Sequence, residues 1–187
     1  ERLDAICIGV PHTTPYLPRE APNPATVAYL GLGLALRLWR DSFPVVDGGT
    51  AILLNRFSRR FPHPTQQPYR ALFQALRSGG GREPDELADA EQSAATDSRF
   101  LDPYRAGRSC HPLLPFAEWS ACQPAIERLG AVLIAGCRDA HAARQMGFVP
   151  THGIGPALAM AHGRADRPLR IGYLLSPPYF PLRVRSS

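Results

Sequence analysis

The densest set of chemically capable side chains runs from Asn55 to Arg70. There Arg56, Arg59, Arg60, His63, Gln66, Gln67 and Tyr69 are interleaved with Pro62, Pro64 and Pro68. Guanidinium groups pair in two-pronged fashion with carboxylates and phosphates, and the start of a following helix adds free amides. Such a loop suits an anionic group. The same composition also suits a solvated loop in which arginines stack on aromatic rings, and the sequence leaves the two readings open. His12 is the second candidate. It follows the apolar run Ala5 to Val10, at the carboxyl end of an expected strand, where open α/β sheets meet their ligands. A solvated loop histidine is the plainer alternative.

Several chemistries are excluded or disfavoured. The 21 basic residues are all arginine, so the chain has no Schiff-base lysine and no P-loop lysine. The histidines (His12, His63, His111, His141, His152, His162) form no H-E-x-x-H motif and no i, i+4 pair. No metal site is therefore expected within the chain. There is no G-x-S-x-G elbow. Gly31 and Gly33 lie inside an expected helix instead of opening one after a strand, which is not a dinucleotide fingerprint. The acidic residues gather between Glu83 and Glu91 as a solvated face. The 4 cysteines have no C-x-x-C spacing, and Cys7 and Cys137 read as small core residues. A reduced, cytoplasmic protein is expected. The net charge of +5 comes with no recognised nucleic-acid module. The longest apolar run, Tyr29 to Leu36, is far too short for a membrane span. No nucleic-acid or membrane partner is expected.

The elements that must position these residues alternate. With 187 residues, 44% of them hydrophobic and 20% charged, the chain can bury a core of its own. Strands are expected at Ala5 to Val10, Thr50 to Asn55, Ala131 to Gly136, Phe148 to Pro150 and Leu169 to Leu175, with a minor edge strand or tail at Pro181 to Arg185. Val45 to Thr50 reads as a turn. A buried helix is expected over Thr26 to Arg40, capped by Asn23 with Pro24 in its first turn. Further helices are expected at Gln66 to Arg77, Pro84 to Ala95, Phe100 to Ser109, Pro115 to Leu129, Ala140 to Met146 and Gly155 to His162. Strand–helix alternation implies right-handed βαβ units, hence a single three-layer α/β domain with a mostly parallel sheet flanked by helices. The first residue is Glu1, and a core strand begins almost at once, so we expect a piece of a longer protein.

The order of these pieces resembles the C-terminal domain of the lactate racemase family, the nickel-pincer-nucleotide enzymes. The resemblance rests on several features. The first strand and its proline-rich loop come first, then Asn23 with the buried helix, and then Gly48-Gly-Thr-Ala-Ile-Leu53. Phe116-Ala-Glu-Trp119 is similar to the family's F-x-E-W helix, and Met146-Gly-Phe-Val-Pro150 stands between the last elements. It implies an isomerase, a racemase or epimerase of a 2-hydroxy acid or sugar acid. In such enzymes a separate N-terminal domain holds the nickel-pincer nucleotide, its lysine and the catalytic histidines, and that domain would be the principal partner. This chain would close over a small anionic substrate and be inactive alone. The alternative is a non-catalytic binding or interaction module with the same fold.

The family's N-x-Y-Q-x-x-K substrate pattern corresponds here to Asn23, Ala25, Thr26 and Tyr29. Asn23 is kept, but the cation is absent from that helix, which points away from lactate and toward another acid, with Arg56 or Arg59 taking the anion. The expected substrate-binding set is therefore Asn23, Thr26, Tyr29, Arg56, Arg59 and His63. These residues are expected on two adjacent loops facing one cleft.

Overall fold

A computed structural model of the chain describes residues 2–12, 21–40, 42–61, 63–76, 87–165, 167–176 and 182–183. In chain order the elements begin with β1 (Leu3–Gly9) and α1 (Pro24–Ala28), which runs directly into a π-helix (Tyr29–Ala35). Next come β2 (Trp39–Arg40), β3 (Val45–Leu54), a 3-10 turn (Pro64–Gln66) and α2 (Gln67–Ala75). Then follow α3 (Ala88–Thr96), α4 (Ser98–Arg105), α5 (Leu114–Arg128), β4 (Ala131–Ala135) and α6 (Ala140–Gln145). The last are β5 (Val149–Thr151), α7 (Ile154–His162), β6 (Ile171–Leu174) and β7 (Leu182–Arg183).

The main sheet has five strands in the order β5-β4-β3-β1-β6, and every pairing is parallel. Strands β1, β3, β4 and β5 step outward in one direction, after which the chain returns past them to place β6 beside β1. Right-handed crossovers put the helices of the outward steps on one face and the returning helix on the other. The core divides in that way. Ile6, Ile8, Ala51, Leu53, Val132 and Ile134 pack with α1, the π-helix, α2, α5 and α6. Their alternates Ala5, Cys7, Ile52, Leu133 and Ala135 pack with Ala157 and Ala161 of α7. This period of two is the pleat of strands buried on both faces. The chain is thus the three-layer α/β fold that its alternation implied.

Four local expectations need correction. The helix over Thr26 to Arg40 is instead α1 followed by the wider π-helix, and it stops at Leu36. Trp39 and Arg40 then pair in parallel with Leu182 and Arg183 as a separate two-stranded ribbon. The Pro181 to Arg185 segment is accordingly paired away from the main sheet where it is described. The turn at Val45 to Thr50 is a bulge within β3. Leu3 pairs with Val45 and Ala5 with Thr50, so Val46 to Gly49 loop out, with Gly48 at φ 79° as glycine permits. Finally, α2 is preceded by a 3-10 turn, and α3 lies at Ala88–Thr96. The parts of the expected helices at residues 77 and 84–86 lie outside the described residues.

Candidate functional site

The loops that follow β1 and β3 emerge from the same end of the sheet because the two strands are parallel neighbours. Side-chain amides tie them together. The Asn55 Nδ2 donates to the Val10 carbonyl at 3.1 Å, and its Oδ1 accepts from the Phe57 amide at 2.9 Å. Asn23, fully buried, caps α1 by accepting the Thr26 amide at 3.1 Å, and its Nδ2 lies 3.5 Å from Gln66 Oε1. Gln66 in turn donates to the Ala21 carbonyl at 3.3 Å. A buried amide needs such partners, so Asn23 and Gln66 hold the starts of α1 and α2 at a fixed spacing.

The six expected site residues fall in different surroundings. Arg56 and His12 border a crevice of about 410 Å³ at the carboxyl ends of β1 and β3. Arg59 turns away from it, with its Nε 3.9 Å from Asp139 Oδ2 and its side chain half exposed. That is a surface pair of small energetic consequence. His63 is exposed and caps the 3-10 turn, with Nδ1 2.9 Å from Thr65 Oγ1. Asn23 is a buried cap. Thr26 and Tyr29 alone share a cavity, and it lies within the helical layer, between α1 with its π extension, α2 and α5.

This cavity encloses about 500 Å³. Its floor is deeply buried: Thr26, Leu30, Gln66 and Tyr69 are each 5% exposed or less. Its mouth is formed by Arg37, Leu114 and Ala117, all exposed. The π-helix makes room for it. Gly33 lies where a Cβ would meet the Tyr29 ring at 2.7 Å and the backbone of Ala121 at 3.4 Å. Glycine there lets the wide helix lie against α5 while the Tyr29 ring stands over the cavity wall. Gly31 is required on the sheet side, where a Cβ would come 2.5 Å from the Leu53 side chain.

A polar cluster sits at one end of this otherwise apolar space. The Tyr69 hydroxyl donates to Glu118 Oε2 at 2.8 Å. Burial pushes the Glu118 carboxyl up from an ordinary 4.5 to about 7, against the opposing effect of the Tyr69 hydrogen bond. Burial and the Glu118 charge push the Tyr69 hydroxyl well above its ordinary range. Burial also raises the Cys122 thiol, whose Sγ donates to the Glu118 carbonyl at 3.3 Å. Thr26 Oγ1 is buried without a hydrogen bond of ordinary geometry, although it lies near enough to favour the ionised form of Tyr69. Such an arrangement can hold a hydroxyl or carbonyl group. It can also share a proton near neutral pH.

Tyr69, Glu118 and Arg37 were not among the residues expected at the site. A signal for Glu118 does exist. On α5 it shares a helical stripe with Leu114, Ala121 and Cys122, so an acidic residue stands on a face of apolar and small neighbours. Tyr69 stands in the polar stretch Asn55 to Arg70 but outside the expected set, and Arg37 carries no mark, because their convergence depends on how the helices pack.

Among the described residues there is no group of three or more His, Cys, Asp or Glu placed to hold a metal ion. Nor is any helix among the described residues long and apolar enough to cross a membrane. No family model matches the chain, and no curated protein matches it. Among solved structures, the lactate racemase apoprotein from Thermoanaerobacterium thermosaccharolyticum is similar over 99% of this chain, with a TM-score of 0.52 and 14% sequence identity. The match covers 36% of the racemase chain, so this chain spans little more than a third of that protein, and the likeness is one of fold.

Proposed function

We propose that this chain is the C-terminal, substrate-closing domain of a lactate racemase-like racemase or epimerase. It acts on a 2-hydroxy acid or sugar acid and is inactive alone. The observation that carries this reading is the fold likeness, which takes in nearly all of this chain and only part of the racemase. The order of motifs in the sequence and the cavity beside the helix capped by Asn23 support it. Thr26 and Tyr29 contact substrate from that helix, while Asn23 positions them. The partners are a cofactor-holding N-terminal domain and a small anionic substrate. Free thiols at Cys7, Cys110, Cys122 and Cys137 fit a reducing, cytoplasmic compartment.

The nickel-pincer nucleotide belongs, on this reading, to the complete protein. The residues present here do not fit it. The chain has no lysine to attach it, and its described residues offer no cluster to ligate nickel. What this chain supplies is binding, orientation and exclusion of water.

The test compares the 187-residue chain with the whole protein encoded by its gene, using chiral chromatography of a panel of 2-hydroxy acids. Racemisation by the whole protein and none by the chain alone is the expected result. Racemisation by the chain alone would refute the division of labour. An unrelated domain, or none, encoded upstream of Glu1 would favour the binding module.

A further inference from the structure

The helical-layer cavity is built to hold two different ends of one molecule. Lactate, with a methyl as its side chain, would leave most of about 500 Å³ unfilled. The mouth carries a cation, Arg37, which makes no ion pair among the described residues. Between mouth and floor the lining is apolar, with Leu114 and Ala117 on the mouth side, Leu30 on the floor side and Ala121 on α5. The floor carries Thr26 Oγ1, the Tyr69 hydroxyl and the Glu118 carboxyl. A carboxylate cannot rest on that floor. It would face the oxygens of the Glu118 carboxyl with no cation beside them, in a place where burial strengthens repulsion. A neutral hydroxyl can rest there. It can bond to Thr26 Oγ1, which has no hydrogen bond of ordinary geometry, and it can exchange donor and acceptor roles with the Tyr69 hydroxyl and the Glu118 carboxyl.

We propose that this cavity is the side-chain subsite of the enzyme and selects a 2-hydroxy acid whose side chain is an apolar body ending in a neutral hydroxyl. The substrate carboxylate meets Arg37 at the mouth, and the distal hydroxyl meets Thr26, Tyr69 and Glu118 at the floor. This rests on the racemase-like reading above. It assigns the anion contact to Arg37, which lies in the turn just past the end of the π-helix that begins at Tyr29, in place of Arg56 or Arg59. Specificity of this kind is strong where buried polar groups are left unpaired by the wrong ligand.

The experiment is a titration of the 187-residue chain, followed by NMR and calorimetry, with four probes: 4-hydroxyphenyllactate, phenyllactate, 4-hydroxyphenylethanol and lactate. The expected result is that 4-hydroxyphenyllactate binds about tenfold tighter than phenyllactate, which lacks the distal hydroxyl, the worth of one good buried hydrogen bond. It also binds about tenfold tighter than 4-hydroxyphenylethanol, which lacks the carboxylate, and lactate binds weakest. Tyr69→Phe with Glu118→Leu removes both partners of the floor pair and strands neither. This double variant should bring the first two probes within about twofold of each other. Arg37→Gln should do the same for 4-hydroxyphenyllactate against 4-hydroxyphenylethanol.

Equal binding of 4-hydroxyphenyllactate and phenyllactate by the unaltered chain would overturn the floor contact. No preference for the carboxylate would overturn Arg37, and no binding of any probe would overturn the whole. Thr26→Val, which keeps the side chain's shape and removes its hydroxyl, serves as the second floor variant if the double variant does not fold. A ranked binding series without racemisation by the whole protein would sink the enzyme reading and leave the subsite. Racemisation of other 2-hydroxy acids without that ranking would do the reverse.

Discussion

Glu118 holds its proton in the folded chain over a pH range in which an unfolded chain would release it, and this has a measurable cost. Its carboxyl rises from 4.5 to about 7 because it is buried. Between those two values the folded state binds the extra proton, so stability falls as pH rises. The full contribution is present below pH 4.5 and is lost by the time pH passes 7. Each tenfold difference in proton affinity between the folded and unfolded chain is worth about 1.4 kcal/mol, so the loss is about 3 kcal/mol. Glu118→Gln keeps the shape and a hydrogen-bonding partner for Tyr69, but cannot ionise. The assay is urea unfolding, followed by tryptophan fluorescence, of both chains at intervals from about pH 4.5 to 8. The variant's stability relative to the unaltered chain should climb by about 3 kcal/mol across this range, whatever constant offset the substitution itself introduces. Contributions from other titrating groups cancel in that difference. Parallel pH profiles would refute the buried-carboxyl argument, and so would a difference that shrinks with rising pH.

Asp4, 8% exposed, is held below its ordinary range by the backbone amide of Arg170 and by the Arg167 guanidinium. Asp4→Asn should cost about 1–2 kcal/mol at pH 7, the scale of a partly screened charge-assisted bond. That difference should vanish as acid protonates the native carboxyl, and denaturation at about pH 7 and pH 2 checks it. Asn23→Ala removes a helix cap and the link to Gln66, and should lower stability by about 1–2 kcal/mol in the same assay. Gly33→Ala should cost about 1–3 kcal/mol by pushing the Tyr29 ring into the cavity, visible as weakened probe binding as well as a lowered melting temperature. Cys7 and Cys122 are buried, and burial holds the Cys7 thiol up near 11. A disulfide reagent at about pH 7.5 should therefore leave both unmodified in the native chain while reaching Cys110 or Cys137. Rapid labelling of Cys122 would show that the α5 packing is wrong.

The parallel sheet was legible because its strands are buried on both faces, and such strands read as short unbroken apolar runs such as Ala5 to Val10 and Ala131 to Gly136. The π-helix was not, since a segment that is apolar all round fits an α-helix and a wider helix equally well. The ribbon of Trp39 and Arg40 with Leu182 and Arg183 joins residues far apart in sequence and leaves no local pattern. Val45 to Thr50 was read as a turn because a bulge and a turn make the same demand for a glycine at positive φ, met here by Gly48. At the candidate site, Thr26 and Tyr29 were expected from the resemblance to the family's substrate pattern, and both line the helical-layer cavity. Arg59 and His63 were expected because their arginine-rich loop follows the carboxyl end of a strand; in the structure Arg59 stands by Asp139, His63 caps the 3-10 turn, and neither lines the helical-layer cavity. The Tyr69–Glu118 pair joins residues of two helices 49 positions apart. Only packing brings them together.

The place of β1 inside the sheet also governs how the chain can assemble. Its neighbour β3 follows closely, but its other edge is covered only by β6, in a register that sets Ala5 against Ile171. A chain emerging from the ribosome can thus form the β1-β3-β4-β5 side while one edge of its most buried strand is still open. That edge is apolar and has unsatisfied backbone groups, which makes it a template for pairing with a neighbouring nascent chain. Truncation before Ile171 should therefore yield an aggregating product, since the last strand of the sheet to be made closes the first.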